Sequence, residues 1–454
     1  MANKNILTNG AKVTSVGQVY YSPASVVSTT GSILASFYAF LAKVEAWPDE
    51  NNPPTPTQDQ SSLKKIYKNI FVTKKITVND ISPVIERINW VNNTVYSYYR
   101  DDIDMLELDE NGFLVNKFYV KNRYDQVFKC LWNNNGGTST IEPKFEPGTY
   151  GINNIYQGVD GYKWKYIYTV DVGTKVKFMD TTWMPVPVGT LILSSRKNAA
   201  GSGDIEVINV VSGGTGYDPA NAVVTVTVTG DGLGATGTAV VNNGIVTNVI
   251  VTNAGGNYTY ANVAITSTIG SNATAICPVS PIAGHGSDPI SELGGSHVML
   301  TAQFNGTEGG KIPTDIDFHQ VGLLVNPSTA ESYPKIADGA VYKTSTDLVL
   351  AQGFGTYTQD EWVYQGSSLE TASFKATVLS FDSVNSILKL INITGTPVTN
   401  APVFGDTSKT VRTLLSVSSP SYSIFSGYIA FVENRTGIQR SEDGIEQFKF
   451  VLGY

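Results

Sequence analysis

Histidines and nearby acids are the first residues to consider for chemistry in this chain. The sequence holds three histidines, and one of them, His285, lies with Asp288 and Glu292 in the segment 284–292. Imidazole and carboxylate groups at this spacing can ligate zinc or manganese. The glycines and the proline between them favour a different interpretation, an irregular hinge in which His285 forms a hydrogen bond. The sequence therefore predicts no metal site here.

Other reactive groups are sparse. The acids Asp218 and Asp231 lie in a glycine-rich segment but lack the regular spacing of nonapeptide calcium repeats. Cys130 and Cys277, the only cysteines, suit two buried thiols rather than a disulfide or a cysteine-based zinc site. No H-E-x-x-H, G-x-S-x-G or Walker motif occurs. We expect no enzyme activity, no catalytic residue and no cofactor; a glycan hydrolase, the remotest alternative, needs two carboxylates facing across a cleft.

Two polar segments are better candidates for protein contacts. Trp47 precedes a proline-rich extended loop, and tryptophan is a frequent interface anchor, while an extended loop loses little entropy on binding. The alternative for Trp47 is packing at the edge of its own sandwich. The charged segment 433–446 indicates either a solvated hairpin tip or a surface that pairs with a partner's charges. The predicted interface residues are Trp47, Pro48, Pro53, Pro54, Glu433, Asn434, Arg435 and Arg440.

Composition excludes several classes of protein. A chain of 454 residues with a formal charge of −8 and no basic run is a poor candidate for nucleic-acid binding, which depends on clustered Lys and Arg. No apolar run approaches the roughly 20 residues of a membrane span, and no secretory signal is visible. We expect a soluble protein made in a cytoplasm, with roughly two to four folding units.

Glycine, β-branched and aromatic residues predict a mainly β protein. The clearest strand is 162–170, in which four aromatic residues share one face and two lysines the other. We expect the aromatic face to pack on a second sheet, or less often to form a sugar- or protein-binding platform. That face consists of Tyr162, Trp164, Tyr166 and Tyr168. Further strands are predicted at 84–90, 94–100, 124–132, 297–304 and 319–326.

Two segments carry helical spacing of apolar residues. The segment 63–71 predicts a helix, with Asp59 or Ser61 as its N-cap. The segment 33–47 allows two interpretations. Its periodicity slightly favours a helix, whereas its aromatic content and the stop at Pro48 suit a strand.

Residues 201–279 contain an internal repeat. GGTGY at 213–217 and GGNY at 255–258 are each followed by Ala-Asn, about 40 residues apart. Each copy offers three short strands, in which alternating Val and Thr give one apolar and one hydroxyl-bearing face. The repeat predicts two units that face each other as a small sandwich, with hinges at 201–203 and at the Pro278/Pro281 pair.

Five segments of the chain are informative about its family when they are considered together. They are EAWPDENNPP (45–54), VIERINW (84–90), QVFKCLWNN (126–134), DGYKWKYIYTV (160–170) and SGYIAFVENRTGI (426–438). In this order they resemble the baseplate wedge subunit of T-even-like contractile-tailed bacteriophages, the one that enters each wedge as a dimer. The resemblance covers residues 35–195, 295–330 and 424–454 in short blocks.

The resemblance implies a mainly β protein without catalytic activity, and a strand rather than a helix at 37–47. It implies a virion protein of the viral tail: a homodimer that joins neighbouring baseplate wedge proteins in tail assembly and in the rearrangement at infection. The alternative from another class is a tail-associated receptor- or carbohydrate-binding protein. Its contact surface would be the aromatic face and the β modules.

The predicted fold is a multi-domain β-sandwich core with two inserted small β modules and a few short helices. The core comprises residues 1–200, 280–344 and 423–454. The repeat module is 201–279, and a barrel-like module with a hairpin turn at Asp382 is 345–422. Insertion into loops is thermodynamically mild, so removal of 201–279 is expected to leave a folded core. The modules would contact neighbouring baseplate proteins or the host surface.

Overall fold

The computed structural model describes residues 7–22, 35–147, 155–188, 203–282, 284–331 and 335–454. The chain divides into two compact units. Unit 1 holds Met1–Gln18, Ser82–Met299 and Val451–Tyr454, and unit 2 holds Val19–Ile81 and Leu300–Phe450.

The described residues are mainly β, which confirms the predicted fold class. The helices are α1 Asn9–Tyr21, α2 Gln60–Asn69, α3 Val172–Phe178 and α4 Pro289–Glu292, with a 3-10 turn at Val78–Asp80. The strands are β1 Phe37–Ala42, β2 Ile70–Ile76, β3 Ile81–Glu86, β4 Tyr119–Lys121, β5 Gln126–Asn133, β6 Ile155–Gln157, β7 Tyr162–Thr169, β8 Trp183–Pro185, β9 Asn209–Thr215, β10 Thr225–Gly230, β11 Leu233–Asn242, β12 Ile245–Gly256, β13 Ala261–Thr266, β14 Ser271–Ile276, β15 His297–Asn305, β16 Asp317–Val325, β17 Val341–Lys343, β18 Thr346–Leu350, β19 Trp362–Gln365, β20 Phe374–Asp382, β21 Ile387–Thr394, β22 Pro402–Gly405, β23 Val411–Ser418, β24 Tyr428–Gln439 and β25 Ile445–Gly453.

Unit 2 contains an antiparallel sheet of five strands in the order β17-β2-β1-β16-β24. Strand β1 lies at its centre, paired with β2 and β16, and every one of its residues is buried. A strand buried on both faces is apolar throughout, so its periodicity does not distinguish it from a helix. The strand at 37–47 implied by the resemblance is confirmed for 37–42. The helical interpretation is wrong over these residues, and 33–34 lie outside the described residues.

Helix α2 confirms the helix predicted from 63–71, with a shift at its end. The Asp59 side chain caps it by accepting a 2.9 Å hydrogen bond from the Ser62 backbone amide. The helix ends at Asn69. Ile70 and Phe71 instead begin β2, because this run of β-branched and aromatic residues pairs with β1.

Strands β18 to β23 close into a barrel in the order β18-β21-β20-β19-β22-β23. Its interior is filled by buried aliphatic and aromatic side chains, among them Leu348, Phe374 and Leu388. The predicted hairpin is β20–β21, and Asp382 Oδ1 accepts hydrogen bonds of 3.0 Å from the backbone amides of Val384 and Asn385. The barrel lies inside the predicted module 345–422, whose boundaries stay a prediction.

Unit 1 contains an antiparallel sheet in the order β4-β5-β7-β6. Strands β5 and β7 confirm the predictions at 124–132 and 162–170, whereas the strand at 84–90 ends early, at Glu86. The segment 94–100 is not a strand, although Thr94 forms an isolated bridge with Ser139. Its aromatic residues serve packing rather than a ladder. Tyr96 is buried, and its ring meets Trp164 edge-on at 5.6 Å.

The repeat module, also in unit 1, has the predicted three strands per copy but not the predicted arrangement. Its two-stranded sheets are β9–β14, β10–β13 and β11–β12. Every strand therefore pairs with a strand of the other copy. When the strands of the first copy are matched in order with those of the second, the pair β9–β14 corresponds to the pair β12–β11. The pair β10–β13 corresponds to itself. The two copies therefore have an approximate two-fold relationship. The expected pair of separate facing units is wrong, because the copies interleave around one core. Of the predicted hinge at 201–203, residues 201 and 202 lie outside the described residues.

The repeated tyrosines make matching contacts in the two copies. Tyr217 and Tyr258 are buried in the module core, and their hydroxyls accept hydrogen bonds from the backbone amides of Ala273 at 3.2 Å and Ala235 at 3.3 Å. Each ring also lies against a glycine. A Cβ atom on Gly270 or on Gly232 would lie 2.4 Å from the ring of Tyr217 or Tyr258 respectively. The contact between a tyrosine of one copy and a glycine of the other is thus a packing element that is used twice.

Candidate functional site

The Trp47 loop, which follows β1 in unit 2, is held against β24. The Trp47 indole Nε1 donates a 2.8 Å hydrogen bond to the backbone carbonyl of Arg435. The Glu50 carboxylate accepts hydrogen bonds from the Trp47 backbone amide and, at 2.9 Å, from the Gly437 backbone amide. The Lys43 ammonium lies 4.4 Å from the centroid of the Trp47 ring. The loop and the strand therefore form one surface.

The proline-rich part of the loop is fixed to the same strand. The Asn434 side-chain amide donates a 2.6 Å hydrogen bond to the carbonyl of Pro54, and the Asn434 Oδ1 atom accepts one of 2.7 Å from Gln320 Nε2. Pro53 is half-buried, and Pro48 and Pro54 are exposed. The structure thus brings Trp47, Pro54 and Asn434 together, although sequence analysis took them from two separate segments.

A cleft of about 620 Å³ opens beside these contacts. We call it the Trp47 cleft. Its apolar lining includes Trp47, Trp362 and Ile66, and its charged lining is Lys43, Lys65 and Glu45. Side-chain amides supply much of the remaining polar lining, including Asn69, Gln320, Asn392 and Asn434. An apolar cleft with a few polar groups is the usual form of a binding site.

The other predicted contact residues are placed differently from expectation. Strand β24 runs to Gln439, so Glu433 and Arg435 lie within a strand and not in a charged hairpin tip. They form a 2.9 Å ion pair with each other. Arg440 is fully buried; its guanidinium pairs with Glu446 at 3.0 Å and donates to the carbonyl of Gly306 at 2.8 Å. The contacts of Arg440 are therefore internal to unit 2.

Unit 1 contains a buried ionic cluster around His285. The Lys129 Nζ atom lies 3.0 Å from His285 Nδ1 and 3.1 Å from the Glu292 carboxylate. A second pair, Lys165 with Glu206 at 2.6 Å, adjoins it, and Glu206 also accepts a 2.7 Å hydrogen bond from the His285 backbone amide. These contacts satisfy charges that would otherwise be costly to bury. The cluster confirms the hydrogen-bonded His285 of the hinge interpretation.

Burial controls the protonation of this cluster. Burial, together with the nearby Lys129 ammonium, lowers the pKa of His285 to about 4. Burial raises the pKa of Glu292, but Lys129 and His285 lower it by more, and the resulting pKa is about 2. At neutral pH, Glu292 is therefore ionised and His285 is neutral. Among the described residues, no group of His, Cys, Asp and Glu is arranged to hold a metal ion.

The aromatic face of β7 lies inside the protein. Tyr162 and Trp164 are fully buried and stacked, with ring centroids 5.5 Å apart. They are covered by Ile88, Trp90 and Tyr96 from a segment without regular strands, and not by a second sheet. The face is therefore not an exposed platform, which removes one of the two contact surfaces of a receptor- or carbohydrate-binding protein.

The ionic cluster was not predicted from the sequence, although a signal for it was present. Lys129 interrupts an apolar strand, and Lys163 and Lys165 alternate with aromatic residues in β7. All three are buried, and buried lysines require carboxylate or carbonyl partners. The partners of the β7 lysines, Glu206 and the carbonyl of Ile208, belong to the start of the repeat module and could not be assigned from spacing.

The comparisons with known proteins do not assign a family. No protein-family model matches the chain. No curated protein matches it either. In the part of the chain that the structure describes, no helix has the length and apolar character needed to cross a membrane. Cys130 and Cys277 are buried free thiols, as predicted.

Proposed function

We propose that the chain is a structural subunit of the tail baseplate wedge of a contractile-tailed bacteriophage. It would join neighbouring wedge proteins during tail assembly and baseplate rearrangement, without catalytic activity. One observation supports this proposal above the others. The segments 45–54 and 426–438, which carry much of the resemblance to the wedge subunit, meet in the hydrogen bond between Trp47 and Arg435. Predicted contact residues from distant parts of the chain thus share one surface.

The form of that surface suits a protein contact. Its loop is already fixed by Glu50 and Asn434, and a preorganised surface loses less conformational entropy on association. Trp47 remains partly exposed after all its internal contacts. A partly exposed indole beside a cleft is a typical anchor for a partner protein.

The proposal includes a homodimer, located in the virion tail, and contacts of the two β modules with neighbouring baseplate proteins or with the host surface. The alternative function is receptor or carbohydrate binding at the tail. Because Tyr162, Trp164 and Tyr168 of the aromatic face of β7 are buried, this alternative depends on the modules alone.

Incorporation into wedges tests the proposal. The full chain would be co-expressed with the neighbouring wedge proteins of the same phage, and co-purification would be measured beside a thermal melt. We expect Trp47→Ala to abolish co-purification while the protein stays folded. Trp90→Ala is the matched control, because Trp90 is also half-buried and donates one hydrogen bond, to Ser139 at 3.0 Å. Equal incorporation of both variants, or no incorporation of the unaltered chain, would contradict the proposal.

A further inference from the structure

The Trp47 cleft has a lining suited to an extended peptide. Trp47, Trp362 and Ile66 offer apolar surface, and carboxamides offer both donors and acceptors, as a peptide backbone does. The Gln320 amide donates to Asn434, and its oxygen accepts no hydrogen bond from any described residue. A carboxamide oxygen of this kind can accept a hydrogen bond from a backbone N–H of an occupant.

The edge of the cleft that is formed by helix α2 is positively charged. Helix α2 borders the cleft and carries Lys64, Lys65 and Lys68 without a single acidic residue, in a protein whose net charge is −8. Within the described residues, Lys64 and Lys65 have neither an ion-pair nor a hydrogen-bond partner. The Lys68 ammonium donates only to the Thr394 hydroxyl, at 3.3 Å. The helix thus presents uncompensated positive charge.

The acids near the cleft keep their negative charge, but within the described residues none of them forms an ion pair with a lysine of α2. Asp59 is engaged by the cap of α2, where its carboxylate accepts hydrogen bonds of 2.6 Å from the hydroxyls of Thr57 and Ser62, and these bonds lower its pKa. Glu45, the acid of the cleft lining, acts on Lys43. Burial lowers the pKa of Lys43, and Glu45, Glu50 and Asp360 oppose that shift, so these acids act on Lys43. Lys65 is left as the unpaired cation of the lining.

We propose that the Trp47 cleft binds an extended acidic segment of a partner protein, with an apolar side chain against the indoles and a carboxylate beside Lys65. The inference rests on the proposed function, since it names the chemistry of the partner that the same surface takes. Charge complementarity decides against a basic segment. A neutral oligosaccharide is the competing occupant, and it is separated by the experiment.

The test uses the full chain and labelled peptides in fluorescence anisotropy. The probe is a peptide of alternating Asp and Leu, and the controls replace every Asp by Asn or by Lys. We expect the acidic peptide to bind most tightly, the Lys peptide not to bind, and the affinity to fall with added salt. Lys65→Gln should weaken binding about two- to fivefold, the range of an exposed ion pair. Glu45→Gln should strengthen it, and Lys335→Gln, an exposed lysine outside the cleft lining, should leave it unchanged.

Three outcomes would overturn the inference. One is the absence of acidic-peptide binding at millimolar concentration, and another is equal binding of the Asp and Asn peptides. The third is tighter binding of maltohexaose than of either peptide, which would assign the cleft to saccharides. The experiments distinguish a failure of this inference from a failure of the proposed function. Acidic-peptide binding without incorporation into wedges would contradict only the baseplate role, and incorporation without peptide binding would contradict only this inference.

Discussion

The indole of Trp47 and the backbone carbonyl of Arg435 are joined by a 2.8 Å hydrogen bond, although the residues lie 388 positions apart. Because the acceptor is a backbone atom, the Arg435 side chain is free for other contacts. It pairs with Glu433 at 2.9 Å and lies 5.5 Å from the ring centroid of Phe448. The loop is thus tied to the strand by Trp47 itself, and less by the charges predicted to act there.

Replacing Trp47 by Phe tests this relationship. Phe keeps most of the aromatic surface but cannot donate to the Arg435 carbonyl, so unit 2 should lose about 1 kcal/mol of unfolding free energy. Urea denaturation of the full chain, followed by circular dichroism, measures the loss. Arg435→Gln is the control, because it retains the backbone acceptor and should have a smaller effect. An unchanged midpoint for Trp47→Phe would show that the hydrogen bond contributes nothing.

The buried pair of Lys129 and Glu292 should be sensitive to removal of one charge. Glu292→Gln leaves the Lys129 ammonium buried without a carboxylate, and breaking such a pair costs about 3–5 kcal/mol. The matched control is Asp102→Asn in the exposed pair Arg100–Asp102, whose side chains are 44% and 63% exposed. We expect a change within about 1 kcal/mol there. Equal melting temperatures for both variants would contradict the assignment of a buried pair.

Acid should destabilise unit 1 in two steps, each of which lowers the free energy of unfolding as the pH falls. The pKa of His285 falls from an ordinary 6.5 to about 4 on folding, so its contribution is complete above pH 6.5 and is lost as the pH falls towards 4. The pKa of Glu292 falls from 4.5 to about 2, so its contribution is lost between those values. Thermal melts across this range measure both steps.

Two variants show which residue causes each step. His285→Gln should flatten the dependence between pH 6.5 and 4, and Glu292→Gln should flatten it below pH 4.5. If stability rose on acidification from neutral pH, the buried, neutral state of His285 would be wrong.

The sequence predicted those elements whose cause is local. The Asp59 cap, the alternating β7 strand and the Asp382 turn each depend on neighbours within a few residues, and each is present. Features made by distant partners were not predictable from spacing. Three such features are the pairing of strands between repeat copies, the pairing of Lys165 with Glu206, and the burial of Arg440 by Glu446 and two backbone carbonyls. Each depends on which distant segment of the chain covers a face.

The two-fold relationship in the repeat module predicts matched effects at matched positions. Gly270→Ala and Gly232→Ala each place a methyl group 2.4 Å from a buried tyrosine ring. Overpacking of this kind costs about 1–3 kcal/mol, and we expect similar losses at both sites by thermal melt. Gly17→Ala is the control, since nothing lies within 4 Å of its Cβ position in helix α1, and it should be neutral or stabilising. Strongly unequal losses at 232 and 270 would contradict the symmetry.

The structure changes the expectation that the core stays folded when the repeat module is removed. Deletion of 201–279 would take away Glu206 and the Ile208 carbonyl, the partners of Lys165 at 2.6 Å and Lys163 at 2.8 Å. Burial already lowers the pKa of Lys163 to about 8. Lys163 and Lys165 would then lose these partners, and the face of unit 1 that the module covers would be exposed. We expect this shortened chain to be insoluble.

A shorter deletion avoids that penalty. Asn209 and Ile276 are register partners in the β9–β14 pair, so their Cα atoms are about 5 Å apart and a two-residue Asn-Gly turn can join them. Deletion of 210–275 with this turn retains Glu206, the Ile208 carbonyl and the hydrogen bond from Asn209 to the Leu131 carbonyl. We expect a soluble chain with a cooperative melt. Adding Glu206→Gln to it should restore the instability, since Lys165 again loses its charge partner. If both deletions fold equally well, the buried lysines do not require the module, and it is an independent insertion after all.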